Sequence, residues 1–155
     1  MSIGLTWQTT STSLENTEQL AAAIGGRLKG GEIVELISDL GGGKTAFVRG
    51  LAKGMGSFDK IASPSFTISR QYRARDKTLY HFDFYRLSDA GIVANELAEV
   101  VDDPHAVIAV EWADIVEDVL PADKLSVCIT NTGETERQFM FEYPEKLAYL
   151  IPQDT

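Results

Sequence analysis

Apolar residues along the chain fall into short runs with two different periods, and those periods predict the elements. Residues 4–9 read as a short opening strand. Thr12-Ser13-Leu14-Glu15 has capping-box spacing, with Thr12 as N-cap and Glu15 at the third helical position. Leu14, Thr17, Ala21, Ile24 and Leu28 then follow helical spacing until Gly30-Gly31 stops it. Residues 32–37 form an apolar strand. After Lys44 the period returns to that of a helix, with Phe47, Val48, Leu51 and Met55 on the buried face and Gly54 and Gly56 marking the end.

The second half is richer in strands. Ser63-Pro64-Ser65-Phe66-Thr67 is a loop entering a strand, because proline disfavours helix at the residue before it. Phe66, Ile68, Arg70 and Tyr72 alternate with polar residues, Asp76-Lys77 is a turn, and residues 78–84 form a second strand, giving an antiparallel hairpin. A helix is predicted over 88–101, broken by Asp102-Asp103-Pro104. The unbroken apolar run from Ala106 up to Glu111 predicts a fully buried central strand. A short helix near 115–120 precedes two late strands, 125–130 and 138–143, joined by a turn at 131–134.

Between the strand at 32–37 and the following helix lies Ser38-Asp39-Leu40-Gly41-Gly42-Gly43-Lys44-Thr45. Strand, glycine-rich turn and helix start, ending in Gly-Lys-Thr, is the order of a phosphate-binding P-loop, although the full pattern wants glycine at position 38. Glycines let successive N–H groups converge on a phosphate, and the helix N-terminus adds partial positive charge. The expected cradle runs through Asp39, Leu40, Gly41, Gly42, Gly43, Lys44, Thr45 and Ala46. In it Lys44 would reach the outer phosphates and the Thr45 hydroxyl would ligate magnesium. The fold expected is α/β, a three-layer P-loop NTPase-like sheet of mixed parallel and antiparallel strands flanked by helices. It is expected to be a single domain over 1–155.

Composition narrows the setting. At 155 residues, 44% of them hydrophobic, the chain can build a real core, and no apolar run approaches a membrane span. A Thr/Ser-rich start without a basic region or long apolar segment argues against a secretory signal. The single cysteine, Cys128, cannot pair internally, reads as a buried inert thiol, and fits the cytosol. Net charge is −9, which argues against the whole surface binding nucleic acid. The distribution is uneven: residues 44–86 hold nine Lys or Arg against three acids, and the remainder holds five against twenty. That basic third suits a polyanion or an acidic partner.

A P-loop needs a magnesium partner, and two acids compete for the role. Glu111 ends the buried run, where α/β sheets bind ligands. Asp83 lies in His81-Phe82-Asp83-Phe84-Tyr85-Arg86, on a strand that puts His81 and Asp83 on one face. Together they resemble a hydrolysis site in which one acid helps hold magnesium and the other positions water. Trp112 would bring its indole near the nucleotide. His81 reads as an ordinary strand histidine, His105 has no role, and Arg86 reads as structural or solvated. Residues 63–67 suit a nucleotide-sensing loop or a plain proline turn equally. With no Asn-Lys-x-Asp segment, ATP is favoured over GTP.

The ordered set of Asp-Leu-Gly before the Gly-Lys-Thr loop, Ser-Pro-Ser-Phe-Thr, His-Phe-Asp-Phe-Tyr-Arg and Glu-Trp resembles the TsaE (YjeE) family over roughly residues 12 to 140. These are bacterial ATPases of tRNA threonylcarbamoyladenosine synthesis. The resemblance implies binding and hydrolysis of ATP with Mg2+ in support of TsaD and TsaB, which modify tRNA next to the anticodon with the adenylate supplied by TsaC. It implies indirect contact with tRNA and none with a membrane. Lys44, Asp83 and Glu111 take the catalytic roles, Thr45 and Glu111 the metal, and Trp112 a place beside the nucleotide. Ser38 and Ser65 depart from the family pattern. Two other readings share the loop: a small P-loop kinase of a metabolite, for which the basic cluster at 70–77 is a faint lid, and a non-catalytic nucleotide-dependent docking module.

Overall fold

The computed structural model describes residues 4–38, 43–57, 69–83, 91–111 and 120–152. Seven strands form one sheet in the order β1-β7-β6-β2-β5-β4-β3. They are β1 (Leu5–Ser11), β2 (Ile33–Ser38), β3 (Ser69–Arg73), β4 (Thr78–Asp83), β5 (Ala106–Glu111), β6 (Leu125–Asn131) and β7 (Arg137–Tyr143). The four inner strands β6, β2, β5 and β4 run parallel, and antiparallel pairs extend them on both sides: β7 and β1 on one, β3 on the other. This is the mixed α/β sheet expected from the pattern. Strands buried on both faces read as continuous apolar runs, and all six residues of β5 are buried.

Helices α1 (Leu14–Gly25) and α2 (Lys44–Gly54) cover one face of the sheet. Ala21, Ile24, Phe47, Val48 and Leu51 pack there on Val34, Leu36, Val107, Ala109, Val127, Phe139 and Phe141. Phe47 stacks on Phe139 with centroids 5.8 Å apart, so truncating it to alanine would cost about 3–5 kcal/mol. The two helices touch backbone to backbone: a Cβ on Gly54 would stand 2.1 Å from the carbonyl oxygen of Ala22. Only a residue without a side chain allows that approach, and it fixes α2 against α1. On the opposite face, Leu97 of α3 (Gly91–Val101) packs with Ile33, Phe82, Ile108 and Val110.

Local differences from the pattern have local causes. The N-cap of α1 is Ser13, not Thr12, and its hydroxyl accepts the N–H of Asn16 at 3.0 Å. Ser11 Oγ donates to the Ser13 carbonyl at 2.8 Å, which carries the extended chain past Thr12 and delays the helix by one residue. Leu14 is consequently 62% exposed and leaves the core face. α1 stops at Gly25, before Leu28. Cys128 is half-buried rather than enclosed. A short 3-10 helix, Glu145–Leu150, was not visible in the periodicity, because two turns are too brief to show it. It plugs the core with Leu147 and Leu150. The helix expected near 115–120 and the strand start at 66–68 lie outside the described residues. No helix among the described residues is long and apolar enough to cross a membrane.

Candidate functional site

β2 delivers the chain to the P-loop at the carboxyl edge of the parallel strands. Ser38 is the last residue of β2 and pairs in register with Ile129 of β6. A paired strand residue needs no left-handed backbone, so the backbone at position 38 accommodates serine where the motif wants glycine. The requirement for glycine falls at the other end of the loop. Gly43 caps α2 with φ 97°, a left-handed conformation that side chains resist, and its carbonyl accepts the N–H of Phe47 at 3.1 Å. The first-turn N–H groups of an α-helix have no acceptor inside the helix itself, and the helix dipole adds positive charge there. A helix end of this kind favours an anion.

The acids lie beside it. Glu111 closes β5 next to β2, in register with Leu36, and Asp83 closes β4 directly alongside Glu111. Parallel neighbours in register point to the same face, so both carboxylates stand on the side of the sheet that α2 covers. Lys44 Nζ lies 3.1 Å from Glu111 Oε1, and His81 Nε2 lies 2.5 Å from Glu111 Oε2. Lys44, His81 and Glu111 are all buried. Burial pushes the Glu111 carboxyl up, but the hydrogen bond and charge of His81, joined by those of Lys44, outweigh it and hold the group below the usual carboxylate range. The ionised carboxylate accepts, so the His81 Nε2–H donates. Asp83 is half-buried and Thr45 exposed.

Lys44, Glu111 and Asp83 therefore converge from α2, β5 and β4, with Thr45 on the first turn of α2. Asp39, Leu40, Gly41, Gly42, the 63–67 segment, Arg86 and Trp112 lie outside the described residues. Two side chains at the site went unread in the sequence. His81 reads in the sequence as an ordinary strand histidine, whereas the structure places it against Glu111. Its spacing of two from Asp83, on a strand beside Glu111, was the available signal. Arg137 had no signal at all. The register of β6 with β7 brings it to the loop, where a Cβ on Gly43 would lie 3.8 Å from its Nε. Its guanidinium donates to the carbonyls of Gly133 and Glu136 at 3.2 and 2.9 Å.

The donor set suits magnesium. Hydroxyl and carboxylate oxygens are the hard ligands it prefers, and it commonly takes only one or two carboxylates beside phosphates and water. The described residues hold no group of three His, Cys, Asp or Glu that could hold a metal ion by themselves.

The chain is similar to known proteins over most of its length. A family model described as threonylcarbamoyl adenosine biosynthesis protein TsaE matches residues 11–139. The chain is 35% identical over 141 residues to the tRNA threonylcarbamoyladenosine biosynthesis protein TsaE of Bacillus subtilis, covering 88% of this chain and 84% of that protein. Its Treponema pallidum namesake is 33% identical over 83% of this chain and 94% of its own length. The crystal structure of Bacillus subtilis YdiB superposes with a TM-score of 0.72 at 34% identity, covering 94% of this chain and 89% of that one. With a family model across most of its length and relatives above 30% identity over more than four fifths of it, the chain belongs to the TsaE family.

Proposed function

We propose that this chain binds and hydrolyses ATP with Mg2+ as an accessory protein of tRNA threonylcarbamoyladenosine synthesis, acting with TsaD and TsaB. One observation carries the reading: a P-loop lysine held 3.1 Å from a buried carboxylate at the carboxyl end of a central strand. A buried pair of this kind is weak evidence for stability, because desolvation costs about as much as attraction returns. It makes sense as a pair to be exchanged. Lys44 turns from Glu111 to the outer phosphates, neutralising charge that grows on them during transfer. Glu111 and the Thr45 hydroxyl would hold magnesium, which supplies charge neutralisation at the phosphate oxygens. Asp83, beside Glu111 in register, orients the attacking water and accepts its proton. Gly43 and the first turn of α2 offer N–H groups to the phosphates.

The test is turnover by the purified chain, alone and with TsaD and TsaB, scored for ADP and inorganic phosphate. Phosphate released to water and restored tRNA modification in a strain lacking the native protein support the reading. Transfer of the phosphoryl group to a metabolite would replace it with a kinase, and nucleotide binding without hydrolysis even with partners would leave a docking module. The basic residues Arg70 and Arg73, on opposite sides of edge strand β3, with Arg75 in the turn after it, make this edge of the sheet basic and suited to an acidic partner surface. Charge reversal at these three positions is expected to weaken the pull-down with TsaD and TsaB, and more so at low salt.

A further inference from the structure

The two grips on Glu111 differ in kind. Lys44 takes Oε1 from a flexible stem, and its work under the proposed function is to leave. His81 takes Oε2 from the middle of β4, a strand hydrogen-bonded on both sides, to β3 and to β5. Its ring is short and buried, at 5% exposure. Its Cα pairs with Ala109, two residues before Glu111 on the neighbouring strand and on the same face.

We propose that His81 is the positioning residue of this site. Its Nε2–H pins Oε2, so that Oε1 keeps its aim toward the P-loop after Lys44 has gone. A glutamate side chain released from one partner has three torsions to explore, and a bond at the second oxygen removes most of that freedom before a cation arrives. Carboxylates that hold metals are generally fixed in this way by a neighbouring donor, and loss of the donor costs about 10- to 100-fold in metal affinity. The inference rests on the reading of Glu111 as the magnesium-side acid. It adds that the aim of Glu111 is set by β4 and not by the P-loop.

Two polar replacements separate aim from packing. The amide nitrogen of glutamine extends to about the place of Nε2, and that of asparagine stops near Nδ1. ATP binding to the full chain is measured by calorimetry in chelator and across a magnesium titration, with circular dichroism melts of each variant. His81→Asn is expected to leave binding in chelator within about twofold of wild type and to raise the half-saturating magnesium concentration about 10- to 100-fold. His81→Gln is expected to stay within about threefold of wild type. Glutamine and asparagine behaving alike, whether both like wild type or both impaired, overturns the positioning role. Failure of the wild-type chain to bind ATP at any magnesium concentration overturns the proposed function and this inference together, and is distinguishable because it appears before any substitution is made.

Discussion

Two buried glutamates stand at opposite ends of the same sheet, and their partners are of different kinds. Glu32 precedes β2 at its amino end and is 5% exposed. It accepts the backbone N–H groups of Lys29 and Gly30, each at 2.7 Å, and the Tyr149 hydroxyl at 2.6 Å. All three donors are neutral, and two of them are fixed backbone. Glu111 ends β5 at the carboxyl edge and is 6% exposed, but its partners are the side chains of Lys44 and His81. The first arrangement closes a turn and ties down the C-terminal 3-10 helix. The second, under the proposed function, lets Lys44 be traded for a ligand. Burial of a carboxylate does not by itself mark a site. What marks one is a charged partner that a ligand can displace.

Substitutions can break or sharpen this contrast. The largest effect is expected from Lys44→Ala: loss of the melting-temperature rise that ATP and Mg2+ give the wild type, and turnover reduced at least about 100-fold. At 100 times the dissociation constant that rise corresponds to about 2.7 kcal/mol, so its absence is readily measured. Glu111→Gln comes next, with turnover down about 100-fold while ATP still binds in chelator. Its stability profile also changes in acid. Because the folded-state carboxyl titrates below its ordinary value of 4.5, the wild type gains stability from it above that pH and loses it as pH falls through the folded value. The glutamine variant lacks that component, which denaturant titrations between pH 7 and 3 would reveal.

The amino end should respond in the opposite sense. Glu32→Gln leaves a buried N–H without a charged acceptor and is expected to cost about 2 kcal/mol in chemical denaturation while turnover per folded molecule stays within about twofold. A collapse of turnover there would erase the distinction between the two glutamates. Tyr149→Phe is the smallest, about 1 kcal/mol near neutral pH. Burial and the adjoining Glu32 raise the Tyr149 phenol above its ordinary value of 10.0. The wild type therefore keeps this contribution below about pH 10 and loses it as pH rises beyond, whereas the phenylalanine variant shows no such alkaline loss.

Much of the fold was legible because its strands are either strictly alternating or wholly apolar. The run ending at Glu111 could be read as a central strand from its lack of polar residues, and β5 is buried along its whole length. The strand and helix that flank the P-loop motif were legible for a similar reason, since both adjoin its glycines in sequence. The cap of α1 was misread by one residue because Thr12 and Ser13 are chemically interchangeable there, and only the Ser11 hydrogen bond decides between them. His81 was missed because periodicity gives a residue its face but not its neighbour across the ladder.

The sequence by itself determined the strands and the longer helices, the P-loop motif and the acids to weigh, because each is written in local spacing and backbone preference. Tertiary structure alone decided that Glu111 is held by Lys44 on one oxygen and by His81 on the other, and that Arg137 comes up against Gly43. Those contacts join residues 30 to 94 positions apart through strand order and register, which are set by how the whole sheet buries its apolar faces.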